Sequence, residues 1–156
     1  MDATIRLAER ADAATLAALI VAAFEEYRGW LVPPSAALAE TPATIATELA
    51  GSYGAALAEV DGMAVGCVLF NPRGADLYFG RLSVLPTHRH TGIAEALVAF
   101  VEAEAACRGA SGVLLSVRIA LPANQRLFAR LGYAEVGRQA HPGFDHPTWI
   151  DMRKSL

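Results

Sequence analysis

The feature that most constrains this chain is an abrupt change of hydrophobic period between residues 76 and 107. Residues 76–85 read as a strand, and a short loop follows. From there four apolar residues fall on one helical face: Ile93, Leu97, Phe100 and Val101. Gly92 lies directly before this helix and Gly109 closes it. A strand that runs into a helix in this way requires a sheet with that helix packed on it.

The remaining pattern adds strands and helices on both sides of this unit. Further strands are predicted at residues 4–7, 55–60, 63–70, 113–118, 133–139 and 148–154, and further helices at residues 12–27, 41–51 and 123–131. Asp61-Gly62 predicts a tight hairpin, and Asp12 is a predicted side-chain cap of the first helix. This order predicts an α/β (α+β) chain: a mixed sheet with helices on both faces, in one domain over residues 1–156.

Charge and hydropathy exclude several classes of partner. The 156 residues carry a formal net charge of −3, which argues against a general nucleic-acid binder. No apolar run approaches the roughly 20 residues that cross a bilayer, and the N-terminus lacks a secretion signal pattern. We therefore expect a cytoplasmic protein with no nucleic-acid or membrane partner.

The loop before the central helix is a candidate phosphate site. The first amides of a helix lack internal partners and, with the helix dipole, attract phosphate oxygens. Gly92 and Ala94 are small enough for close approach, and Arg89 could add a positive charge. The same glycine could serve the turn for steric reasons alone. Neither a P-loop nor a dinucleotide-binding glycine motif is present.

Three segments in order resemble the GNAT superfamily of N-acetyltransferases. The first matches its Q/R-x-x-G-x-G/A signature: Arg89-His90-Thr91-Gly92-Ile93-Ala94. Residues 82–86 are similar to the strand before that signature, and residues 127–133, with Asn124 upstream, are similar to its Tyr-x-x-x-Gly-aromatic segment. The resemblance covers nearly the whole chain. It implies a GNAT-like, mostly antiparallel central sheet of about six to seven strands.

The resemblance also implies a cofactor and a reaction. The cofactor would be acetyl-CoA, and the acetyl group would pass by direct attack in a ternary complex to a primary amine of a small molecule or protein. Its implied contacts are the loop amides of Arg89, His90, Thr91, Gly92, Ile93 and Ala94, the strand residues Leu82, Ser83 and Val84, and Asn124 and Phe128 on the following helix. A homodimer is compatible with such a fold.

Two departures from the family pattern leave the catalytic groups open. Phe128 stands where many members have a tyrosine that protonates the leaving thiolate. The position of the glutamate that some members use as a base falls on Tyr78, and Asp76 shares its predicted face. His141, in the loop before the last strand, is a third candidate base, and water alone is a fourth. His88 and His90 alternate, but we predict no metal site.

The end of the first helix is a candidate wall for the acceptor. Its two carboxylates and two aromatic rings could hold a cationic amine: Glu25, Glu26, Tyr27 and Trp30. A solvated acidic face with aromatic core residues would look the same. The missing tyrosine and glutamate also favour an alternative function, an acyl-CoA-binding sensor module that transfers nothing.

Overall fold

The computed structural model describes residues 2–156, and its elements follow the predicted order. The strands are β1 (Thr4–Leu7), β2 (Gly54–Val60), β3 (Met63–Arg73), β4 (Asp76–Val84), β5 (Gly112–Arg118), β6 (Ala134–Gln139) and β7 (Trp149–Ser155). The helices are α1 (Ala13–Phe24), α2 (Pro42–Ala50), α3 (Ile93–Cys107) and α4 (Pro122–Arg130). Short helical turns lie between several of these elements.

All seven strands form one sheet in the order β1-β2-β3-β4-β5-β7-β6. β4 and β5 are parallel, and every other neighbouring pair is antiparallel. Helix α3 is the crossover between the two parallel strands, as parallel neighbours require. The predicted fold class, a mixed and mostly antiparallel sheet with flanking helices, is confirmed.

Each face of the sheet carries its own core because side chains alternate along the strands. Ala55 and Leu57 of β2 face the helices α1 and α2, where they are buried in one cluster with Leu16 and Ile20 of α1. The intervening residues of β2 face α3 and α4 on the other side, where the buried residues include Val68, Phe70, Phe79, Leu97 and Phe128. The prediction of helices on both faces is thus correct.

The start of α1 corrects one predicted contact. Asp12 makes no side-chain cap to α1. Its carboxylate instead accepts hydrogen bonds from the Arg6 guanidinium and from the amide of Glu9, because a helical turn at residues 10–12 precedes the helix. At its other end α1 stops at Phe24, and residues 25–27 form a tighter turn where a continuous helix was predicted.

The two hairpins around β3 differ in how well the sequence predicts them. The Asp61-Gly62 turn is confirmed, with both residues at positive φ as a two-residue hairpin requires. β3 then runs three residues beyond the predicted end at Phe70, because Asn71 and its neighbours still pair with β4. The hairpin turn therefore falls at Gly74 and Ala75, between the paired residues Arg73 and Asp76.

Candidate functional site

The sheet opens at the carboxyl end of its two parallel strands. Within the described chain, pairing between β4 and β5 covers Leu77 to Phe79 and Val113 to Leu115 and stops there. β4 is also irregular against β3: Leu69 pairs with Gly80, yet Cys67 pairs with Ser83, so β4 carries one extra residue. This β-bulge changes the direction of the last residues of β4.

The bulge is held by an ion pair with the segment before α2. Arg81 has a φ of 55°, a left-handed conformation that is uncommon for a residue with a side chain. Its Nε donates to the Glu40 carboxylate at 2.9 Å, and the Thr44 hydroxyl donates to the same carboxylate at 2.7 Å. The Glu40 side chain is only 6% exposed. The strained residue therefore persists because a buried anion holds its side chain.

The loop between β4 and α3 presents a row of free amides. α3 has no side-chain cap, and its first internal hydrogen bond runs from Ala96 to Gly92. Within residues 2–156, the N–H groups of the six residues from His90 to Glu95 have no protein acceptor. His90 and Gly92 both have positive φ, which turns successive amides toward one side. Such a row at a helix N-terminus binds anions.

These amides border a cleft of about 500 Å³ between α1, the end of β4, α3 and α4. The cleft is lined by Ala23, Phe24, Glu26, Tyr27, Leu82, Val84, His88, Arg89, His90, Gly92, Ile93, Ala94, Glu95, Ala123, Asn124, Arg126, Leu127, Phe128 and Arg130. A Cβ added to Gly92 would meet only the Glu95 carboxylate, at 3.7 Å. The open space in front of Gly92 fits a diphosphate that approaches the backbone closely.

Eleven of the predicted site residues line the cleft. They are Leu82, Val84, Arg89, His90, Gly92, Ile93, Ala94, Asn124, Phe128, Glu26 and Tyr27. Ser83 is buried and its hydroxyl donates to the carbonyl of Arg81, while the Thr91 hydroxyl donates to the carbonyl of His88. Neither of these side chains lines the cleft, so any part they have in cofactor binding falls to their backbones.

The Arg89 side chain differs from its predicted role. Its guanidinium donates to the Glu26 carboxylate at 2.6 Å and to the carbonyl of Ala23 at 3.0 Å. Arg89 thus joins the loop to the end of α1, and its charge is already paired.

Sequence reasoning missed Arg126 and Arg130, which line the cleft from α4 and belong to none of the ion pairs of residues 2–156. Their i,i+4 spacing was the available signal.

Tyr27 and Phe128 both line the cleft, one from the turn after α1 and the other from α4. The Tyr27 hydroxyl lies beside the Glu26 carboxylate and the Asn124 side chain, and burial, reinforced by Glu26, raises the pKa of this tyrosine. Phe128 is 7% exposed and packs edge-to-face on Phe79, with ring centroids 5.9 Å apart. Of the predicted wall residues, only Glu26 and Tyr27 line the cleft. Glu25 pairs with Arg28 at the surface, and half-exposed Trp30 lies outside the cleft lining.

The three candidate bases also lie outside the cleft lining. Asp76 forms a bidentate pair with Arg153 at 2.9 Å, and that contact lowers the pKa of its carboxyl, which favours a structural role. The Tyr78 ring lies under the Arg73 guanidinium, 3.7 Å from its centroid. His141 contacts the Thr148 hydroxyl through Nδ1, and burial, then the charge of Arg118, lowers its pKa.

Residues 2–156 contain no group of three or more histidine, cysteine, aspartate or glutamate side chains arranged to hold a metal ion. Across the same residues, none of the helices has both the length and the apolar character needed to cross a membrane.

Comparison with known proteins agrees with this geometry. Residues 16–133 match the acetyltransferase (GNAT) family. No curated protein matches the chain. Among solved structures, PaiA N-acetyltransferase from Thermoplasma acidophilum in complex with coenzyme A has 14% identity and a TM-score of 0.82, with all of both chains covered.

Two further solved structures show the same fold. The ribosomal-protein-S18-alanine N-acetyltransferase from Escherichia coli has 20% identity and a TM-score of 0.75, covering 99% of this chain and 94% of that one. The ribosomal-protein-alanine N-acetyltransferase from Brucella melitensis has 21% identity and a TM-score of 0.75, covering 98% and 99%. The match to the family over residues 16–133 decides the assignment: this chain belongs to the acetyltransferase (GNAT) family.

Proposed function

We propose that this protein is an N-acetyltransferase that moves the acetyl group of acetyl-CoA to a primary amine of a small molecule or protein. The observation that carries the proposal is the row of free amides from His90 to Glu95 beside the open end of β4. These amides suit the cofactor diphosphate. Arg126 and Arg130, which form no ion pair within residues 2–156, suit a further phosphate group.

The bulged end of β4 suits the thioester end of the cofactor. Leu82 and Val84 line the cleft where β4 has parted from β5, so backbone groups there are free of sheet partners on that side. An amide at this position would stabilise the oxyanion that forms when the amine attacks the carbonyl carbon. Holding amine and thioester in contact would supply much of the remaining rate.

Calorimetric titration with acetyl-CoA, CoA and ATP tests the cofactor, and thiol release on a panel of amines tests the transfer. We expect both CoA species to bind, ATP to give no heat, and free thiol to appear only when an acceptor is present. Absence of binding by either CoA species would overturn the proposal.

One observation favours a second function, an acyl-CoA-binding module without turnover. Phe128 offers no proton at the position where it lines the cleft, and the candidate bases lie outside the lining. Saturable acetyl-CoA binding with no thiol release from any amine would select this function. The two functions therefore separate in the same pair of measurements.

A further inference from the structure

The cleft contains one hydroxyl group among the described residues that line it, and this belongs to Tyr27. The other lining side chains that can exchange a proton are engaged or lie in other elements: Glu26 pairs with Arg89, and Glu95 is in the first turn of α3. His88 and His90 lie in the segment before α3, and arginines keep their protons at any ordinary pH. Leu82, Val84 and Phe128 also line the cleft and carry no polar hydrogen on their side chains.

Tyr27 is held in place from several directions. Its ring packs edge-to-face on Phe24 and on Trp30, each with centroids 5.8 Å apart. Its carbonyl accepts hydrogen bonds from the amides of Trp30 and Leu31. These contacts fix the ring, and the hydroxyl lies beside Asn124, which is one helical turn before Phe128 on α4.

We propose that the Tyr27 hydroxyl relays a proton from the attacking nitrogen to the sulfur of CoA; this proposal rests on the transferase function proposed above. In the tetrahedral intermediate, nitrogen and sulfur are bonded to the same carbon atom. One hydroxyl beside that carbon can therefore contact both, and among the described lining residues only Tyr27 carries one. No separate acid and base are then needed at this step, which agrees with the position of the three candidate bases outside the cleft lining.

The relay balances in atoms and charge. The neutral amine attacks the thioester carbon and becomes a positively charged nitrogen with one surplus proton. As the C–S bond breaks, the electron pair leaves with sulfur, the Tyr27 oxygen gives its proton to that sulfur, and the same oxygen accepts the proton of the nitrogen. The products are the amide and the free thiol, and the tyrosine returns as a phenol. A raised pKa suits this role, since the relay group must not remain ionised.

Tyr27→Phe tests the relay. We expect kcat to fall by about 100-fold, within the range for proton transfer by a positioned side chain. The Kd for acetyl-CoA should change by less than about two-fold, because the ring and its packing remain. Tyr53→Phe is the matched control, since Tyr53 packs with the α1 and α2 side of the sheet and should keep the parental kcat.

A second variant separates the hydroxyl from the shape of the wall. Phe128→Tyr in the Tyr27→Phe background adds a hydroxyl to a residue that lines the cleft from α4, and we expect at least about ten-fold of the lost kcat to return. No recovery, or a Tyr27→Phe protein with parental kcat, overturns the relay. Loss of acetyl-CoA binding in Tyr27→Phe would assign the residue a structural role and overturn it too. A parental protein that binds acetyl-CoA but acetylates no amine overturns instead the transferase function itself.

Discussion

The proposed cofactor side and the proposed acceptor side of the cleft use different chemical groups. The loop from His90 to Glu95 offers main-chain amides whose direction follows from backbone angles and a helix terminus. The proposed acceptor side offers side chains of the segment after α1, such as Tyr27. Backbone donors depend little on residue identity, so a short motif is enough to specify them. Side-chain walls can change residue by residue, and that freedom suits the part of an enzyme that selects its acceptor.

The largest expected effect would break the cofactor side. Gly92→Glu places a carboxylate among the free amides, where the cofactor diphosphate must lie. We expect calorimetry to show CoA affinity at least about 100-fold weaker, or roughly 2.7 kcal/mol. Gly109→Glu is the matched control, since Gly109 also has positive φ but lies beyond the opposite end of α3. Equal CoA affinity in Gly92→Glu and the parent would show that the amides are not the phosphate site.

A smaller effect would sharpen the boundary between the two sides. Glu26→Gln removes the charge that pairs Arg89 and leaves the guanidinium free to attract the diphosphate. We expect CoA to bind about five-fold more tightly at low salt, roughly 1 kcal/mol, and the gain to shrink as salt screens it. Glu25→Gln, which changes a surface pair with Arg28, should leave affinity unchanged. Weaker binding in Glu26→Gln would mean that Arg89 serves the site as a brace.

The smallest expected effect concerns His141, in the loop between β6 and β7, and the pH dependence of the free energy of unfolding. Burial, with Arg118 nearby, lowers the pKa of His141 below its unfolded value of about 6.5. The unfolded chain then binds the proton more tightly, so this group's contribution to stability is present above pH 6.5 and is lost as pH falls. Urea unfolding should show a smaller difference between parent and His141→Gln at pH 5 than at pH 7.5.

The control for that measurement is His146→Gln, which changes an exposed histidine in the same loop. The pH-dependent difference from the parent should be larger for His141→Gln than for His146→Gln. A difference between parent and His141→Gln that is constant from pH 5 to pH 7.5 would show that His141 has the same proton affinity in both states.

The fold and the loop of free amides before α3 could be predicted because their signals are local. The change of hydrophobic period at Ile93 and the glycine before it specify a strand, a loop and a helix N-terminus without reference to distant residues. The hairpin at Asp61-Gly62 is equally local. Asp12 shows the limit of such signals, because Arg6 and Glu9 compete for the same carboxylate.

The side-chain geometry of the site could not be predicted because it depends on contacts between distant segments. Arg89 reaches Glu26 across 63 positions, and Arg81 reaches Glu40 across 41. From the sequence alone, the Arg89 guanidinium is interpreted as a free charge beside the candidate phosphate loop. The fold, however, brings the Glu26 carboxylate into contact with it. The left-handed backbone conformation of Arg81 could not be predicted either, because such angles are normally expected at glycine.

The parting of β4 and β5 after Phe79 has a consequence for how substrates would enter and leave. A gap that passes through a sheet has two mouths, one on each face. The donor would enter from the side of α3 and α4, and the acceptor from the side of the loop after α1. Neither would block the path of the other, so either could arrive first. In inhibition kinetics, CoA should then compete with acetyl-CoA and not with the amine.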